Sequence, residues 1–438
     1  MLKTLIIQGM KFMNQVFPKN VKLLVFLVLT LLLACGITRA SDGKCSDSAS
    51  SCTKPSKPAS VSTGAKEEKV VDKNISEFQS KLLDSARVVA QAIPNKPFIK
   101  DRSKAQQKIV ETYIELGQPV RAVAAADKIS NWRRGYCYAD IACYLVENGY
   151  TLKTAEKGLK AAEQIASMDH SRKWRSDVVK SRIAQAYILA NNEEKANSFK
   201  EGLSDHEKAK LSSAQDDFER QVKYLNSSIA TDNFDLMKSC LFQFVGLYKS
   251  NYEDSKRRVE IENHIRAGWN RMPASIRFDI LIAMADCALE NSDKTKALSL
   301  VDESKELLSG FKWSPDHIIP LMSRQANYRF RASDVKGAKQ DADQMLSLYE
   351  NERDEITIIY RVESILPLAE AYAAFGDARK ALVVYKHALK VCVDNPNPKT
   401  CSEDFTAICC SLAKSDIQQN SQLWSQIDQI KRGLLKSW

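Results

Sequence analysis

The chain has 438 residues, a formal charge of +10 and 44% hydrophobic side chains, enough for a large core or for a long repeat array with no single core. Glycine and proline number only 15 and 12, below the usual roughly 7% and 5%, which argues against a hairpin-rich fold and for long helices. Residues 1–40 hold five basic residues and no acid, so the remainder carries 59 basic against 54 acidic side chains, or +5, weak support for a nucleic-acid partner.

Lys3, Lys11, Lys19 and Lys22 precede the apolar run from Leu23 to Ala34. That run has the length of a signal-peptide core and is short for a membrane span of about 20 residues. Export is therefore expected, to a periplasmic or extracellular location, soluble or membrane-anchored. Three fates of residues 1–40 stay open. Cleavage after Ala40 would release a soluble protein, lipidation of Cys35 in the lipobox-like Leu32-Leu33-Ala34-Cys35 would anchor it, and Val21 to Ile37 left uncleaved would do the same. Residues 41–73, rich in Ser, Lys and Pro, read as a flexible tether.

The helical region spans 74–438. Its first helix carries Ile75, Phe78, Leu82, Leu83, Ala86, Val89, Ala90 and Ile93 on an amphipathic pattern stopped by Pro94, and reads as an amino-terminal cap. Helix pairs follow, with Tyr113, Gly117, Ala122 and Ala126 in the first and Ala142, Cys143, Ala155, Leu159 and Ala162 in the second. Ile183, Ala184, Tyr187 and Ala196 mark a third. The pattern fades over 204–256, where a broken repeat and an insertion both fit. It returns with Leu281, Met284, Ala285 and Ala297, and again with Met322, Ala326, Ala338 and Ala342. It is clearest from Ile365 to Ala388, and a last pair is expected from Glu403 to Ala413 with Leu423 to Leu435.

Two rulers measure one period. The alanines Ala155, Ala196, Ala297, Ala338 and Ala381 are 41, 101, 41 and 43 residues apart, and Trp132, Trp174, Trp269 and Trp313 are 42, 95 and 44 apart. Single, double and single intervals in the forties indicate a repeat architecture of about eight helix pairs.

Leu368, Ala369, Tyr372, Gly376, Ala381, Tyr385 and Ala388 resemble a tetratricopeptide repeat in order and spacing. Ile365 stands where that family usually has Trp and Val393 where it has Pro, and the period exceeds its usual 34. The resemblance implies an all-α, right-handed α/α solenoid whose concave surface, formed by first helices, binds proteins or peptides. It implies no reaction.

The expected function is a non-enzymatic protein-interaction scaffold or adaptor in the cell envelope or extracytoplasmic space, tethered to a membrane through Cys35 or the leader if not released. Its partner would be a protein or peptide rather than nucleic acid. The junctions Trp132-Arg133-Arg134 and Lys173-Trp174-Arg175 set a flat ring beside cations, a ligand-binding combination. The bland reading is that each Trp packs over a neighbouring helix end. Eleven cysteines include none with CxxC spacing, so no zinc site is expected, and Cys392 and Cys401 bracket a loop that a disulfide could staple. His170, His206, His264, His317 and His387 stand far apart, with no catalytic or nucleotide-binding motif in the chain. No catalytic residue, metal or cofactor is expected. The alternative is an α/α-barrel-like carbohydrate-active enzyme or a binder of anionic envelope polymers, favoured by a deep pocket with two facing carboxylates. An open arc would favour the scaffold.

Overall fold

The computed structural model describes residues 69–438 apart from 169–171, 209, 212–217, 231, 416 and 418–420. The leader, Cys35 and the tether as far as residue 68 lie outside the described residues. Within the unit Ala65–Trp438 the described residues form an all-α solenoid of adjacent helix pairs, with no strand among them.

After α1 (Glu77–Ala92) come α2 (Asn95–Glu115) with α3 (Pro119–Ala126), α4 (Arg133–Glu147) with α5 (Leu152–Met168), and α6 (Lys173–Leu189) with α7 (Glu193–Lys200). A four-residue α8 (Asp205–Lys208) and α9 (Phe218–Ile229) precede α10 (Phe234–Ser250) with α11 (Ser255–Gly268) and α12 (Ala274–Glu290) with α13 (Lys294–Ser309). Then follow α14 (Pro315–Arg331) with α15 (Val335–Glu352), α16 (Arg361–Ala374) with α17 (Ala378–Asp394), α18 (Pro398–Lys414) and α19 (Ser421–Lys436).

One local device sets the period. The turns of the regular pairs each hold a residue at positive φ: Gly117 at 70°, Gly149 at 84°, Asn191 at 55°, Ser292 at 61°, Ser333 at 77° and Gly376 at 73°. The next residue's N–H donates to a carbonyl five back, as from Asp377 to Tyr372 at 2.9 Å and from Asp293 to Ala288 at 2.9 Å. This is a Schellman-type stop. The same aspartates then cap the following helix, Asp377 accepting from Lys380 N–H at 3.0 Å and Asp293 from Lys296 N–H at 2.9 Å. Stop and start are therefore one three-residue motif, so the repeat keeps its register even where serine or asparagine replaces glycine.

First helices pack on first helices from α2 through α4, α6, α8, α10, α12, α14, α16 and α18, and α18 packs back on α2. The solenoid closes on itself. Its closing helix, α18, makes its most extensive contact with α1 rather than with α19, which lies against α17 and α1. The sequence pairing of Glu403 to Ala413 with Leu423 to Leu435, and the reading of the first helix as a cap, are corrected accordingly. The amino-terminal helix serves as the second helix of the last pair. The reason is visible in burial: Cys401, Phe405, Thr406, Ile408, Cys409, Cys410 and Leu412 face several sides of α18 and are all buried, so this helix needs neighbours on more than one flank. Helix α1 supplies Leu82, Leu83, Ala86, Val89 and Ala90, each fully buried, and each large apolar side chain removed from water contributes about 1.5–3 kcal/mol. Gln79 Nε2 donates to the Ala413 carbonyl at 2.7 Å, Phe78 meets Trp424 edge-on at 6.2 Å, and Lys414 pairs with Glu115 at 3.1 Å.

The irregular region is a broken repeat. Helix α8 takes a first-helix place between α6 and α10, and α9 packs on α10 as a second helix does on the next pair. The apolar core breaks here: one cluster runs from Phe78 to Ala196 and resumes from Phe278 to Leu434, and a second covers Phe218 to Val301 with Ala332, the two interleaving over α12 to α14.

Candidate functional site

Closure of the ring creates a groove of about 570 Å³ where α2, α16 and α18 meet. Its floor is α18, contributing Thr400, Glu403, Asp404, Thr406 and Ala407, because the opposite faces of that helix are occupied by α1 and the core. One wall is α2, whose Lys104, Lys108 and Glu111 fall at i, i+4 and i+7 on one face, extended by Arg133 at the start of α4. The other wall is α16, where Glu363, Leu366, Pro367 and Glu370 occupy the face opposite Ile365, Leu368, Ala369 and Tyr372. Pro367 lies inside this helix and has no N–H to give the Glu363 carbonyl.

The groove acids differ from those elsewhere. Outside it, the buried Asp341 pairs with Lys305 at 2.6 Å, the buried Glu262 with Lys296 at 2.8 Å and the half-buried Asp279 with Arg324 at 2.8 Å. Inside it, Glu111 accepts from Gln107 Nε2 at 2.8 Å and Glu370 from Ser411 Oγ at 2.8 Å. Ser411 in turn meets the Tyr385 hydroxyl at 2.9 Å, so the repeat tyrosine helps position a groove carboxylate. Glu363, Glu403 and Asp404 have no hydrogen-bond or ion-pair partner among the described residues, and Asp404 Oδ2 is fully buried. Burial, with Glu403 and Glu363 nearby, pushes the Asp404 carboxyl up to about 7. Burial and then Asp101 raise Glu403, and burial raises Glu111. Lys104 and Lys108 are exposed on the facing wall.

The tryptophan junctions converge beside this groove. Trp132 and Trp174 meet edge-on at 5.3 Å, with Arg133 Cζ 4.8 Å from the Trp132 ring centre and Arg175 Cζ 5.6 Å from that of Trp174. Arg133 also donates to Gln107 and lines the groove. Trp174 is 53% exposed. Lys173 is engaged with Asp177 at 2.6 Å and the Gly202 carbonyl at 2.8 Å, tying α6 to the chain after α7, and Arg134 is half-buried at the start of α4. The later members of the series have structural roles, Trp313 Nε1 donating to the Leu308 carbonyl at 2.9 Å and Trp269 lying under Arg266. Cys392 and Cys401 are free, buried thiols. Cys401 Sγ donates instead to the Asn395 carbonyl at 3.1 Å, and burial pushes it up to about 11.

Among the described residues no group of His, Cys, Asp and Glu side chains has the arrangement of a metal site, and no helix is long and apolar enough to cross a membrane. No protein-family model matches the chain, and comparison with curated proteins finds no match.

Sequence reasoning missed Glu363, Glu403 and Asp404. Their signal is faint: charges on the non-core face of first helices, indistinguishable from solvated surface until helices some 300 residues apart are brought together.

Proposed function

We propose that the protein is an exported, non-enzymatic interaction scaffold of tetratricopeptide-like character, released or tethered through Cys35 or the leader, which takes a segment of a partner polypeptide into the groove between α2 and α16. The observation that carries this reading is the groove itself. It is lined by first helices, runs along two turns of α18, and sets apolar side chains beside charges of both signs, the mixture that fixes a peptide's position and register.

The α/α-barrel enzyme reading is favoured by one feature, the closed ring with Asp404 beside Glu363 and Glu403. Two-carboxylate chemistry works when environments push the acid and the base apart. Here burial raises Glu111, Glu403 and Asp404 alike, which by itself assigns no acid and no base.

A photocrosslinking amino acid at Leu366, in the groove, tests the proposal against the same group at Val383, exposed on α17. Envelope polypeptide joined through position 366 and not 383 is the expected result. Turnover of an envelope glycan by the wild-type protein but not by Asp404→Asn, without polypeptide capture, would replace the scaffold with the enzyme.

A further inference from the structure

The groove walls carry opposite charge, and no ion pair joins one wall to the other among the described residues. Lys104, Lys108 and Arg133 stand on the α2 side, and Glu363 and Glu370 on the α16 side, with α18 lying between the two helices. On the α2 wall Glu111 is already satisfied by Gln107. Elsewhere the molecule joins such charges across helices, as Arg324 to Asp279 at 2.8 Å and Lys296 to Glu262 at 2.8 Å. Here the exposed lysines and Glu363 have no ion-pair partner among the described residues. Helix α18 lies between the helices that carry them.

Resting on the reading that the groove holds a polypeptide segment, we infer that its occupant is an extended segment in which basic and acidic residues alternate. In an extended chain successive side chains point to opposite sides, so alternation of sequence becomes separation of charge. Basic residues then face Glu363 and Glu370 with Asp404 at the floor, while acidic residues face Lys104, Lys108 and Arg133. The apolar strip of Leu366 and Ala407 receives the backbone and side-chain stems. Complementary potentials of this kind select partners and register more than they raise affinity. A uniformly basic segment meets repulsion at one wall and a uniformly acidic one at the other.

Fluorescence anisotropy with two labelled eight-residue peptides of identical composition tests the inference: Lys-Glu alternating throughout, and four Lys followed by four Glu. The alternating peptide places like charges at i and i+4, which disfavours helix and keeps it extended. At low ionic strength it should bind the full-length protein at least about tenfold tighter than its block isomer. Lys104→Ala with Lys108→Ala, two exposed positions that leave the core intact, should erase most of that difference while helical circular dichroism is unchanged. Equal binding of the two peptides, or preference for the block isomer, overturns the inference. Where the crosslinker at position 366 still captures polypeptide, the scaffold reading survives that failure. Where it captures none and neither peptide binds, both fall.

Discussion

Helix α18, at the junction of the chain ends, buries ten of its residues between α1, α2 and its neighbours, whereas α7, near mid-chain, buries only Ala196. The usual expectation for a solenoid is the reverse, with frayed ends and a firm middle. In this molecule the ends are stapled to each other by a shared core, a side chain to backbone hydrogen bond from Gln79 and the pairs Lys414 with Glu115 and Lys399 with Asp101. The middle is joined through the four residues of α8, and the core is interrupted there. Cooperativity in a repeat array travels through nearest-neighbour interfaces. Closure therefore moves the weakest interface from the termini to the broken repeat.

The largest expected effect breaks the strong side. Phe405, fully buried on α18, should lose about 3–5 kcal/mol of stability on replacement by alanine, and Leu203, 4% exposed after α7, about 2 kcal/mol, since the thin middle can collapse around the missing atoms. Urea melts of the two variants measure the difference. Equal losses would show that the ring has no weak side.

A smaller effect sharpens what closure does to the groove. Asp404 has its pKa raised from an ordinary carboxylate value to about 7. A raised acid contributes stability that is complete below the ordinary carboxylate range and is lost as pH rises through about 7. Asp404→Asn cannot ionise and escapes that loss. Its stability relative to wild type should therefore rise between pH 5 and pH 8, by roughly 1–3 kcal/mol. A difference that stays flat with pH would mean that Asp404 ionises freely in the folded protein.

Much of the architecture was legible in the sequence. The alanine and tryptophan intervals in the forties correspond to one stop-and-start turn per pair, and the doubled interval between Ala196 and Ala297 contains the broken repeat α8–α9 and the pair α10–α11. Gly376 belonged to the legible pattern for a local reason: it takes positive φ at that turn, and the adjoining Asp377 caps the next helix. Closure was not legible. The pattern Phe78, Leu82, Leu83, Ala86 says that α1 buries one face, but periodicity cannot name the partner. Leu423 and Ile427 on α19 carry an equally good pattern and lost the place beside α18 to a helix at the other end of the chain. The site followed from that. Trp132, Arg133, Trp174 and Arg175 were singled out because they are periodic; the two rings meet, and of the four Arg133 lines the groove. Glu363, Glu403 and Asp404 were not, because each is an ordinary surface charge until the ring closes over it.

Zero-length carbodiimide coupling of the isolated monomer, followed by mass spectrometry of the peptides, tests closure most directly. Lys414 with Glu115 at 3.1 Å and Lys399 with Asp101 at 3.8 Å should appear as isopeptide links between the two ends of the chain, alongside the neighbour-repeat links Lys305 with Asp341 and Lys249 with Glu290. Neighbour-repeat links without either end-to-end link would mean that the solenoid is open and that the groove between α2 and α16 does not exist.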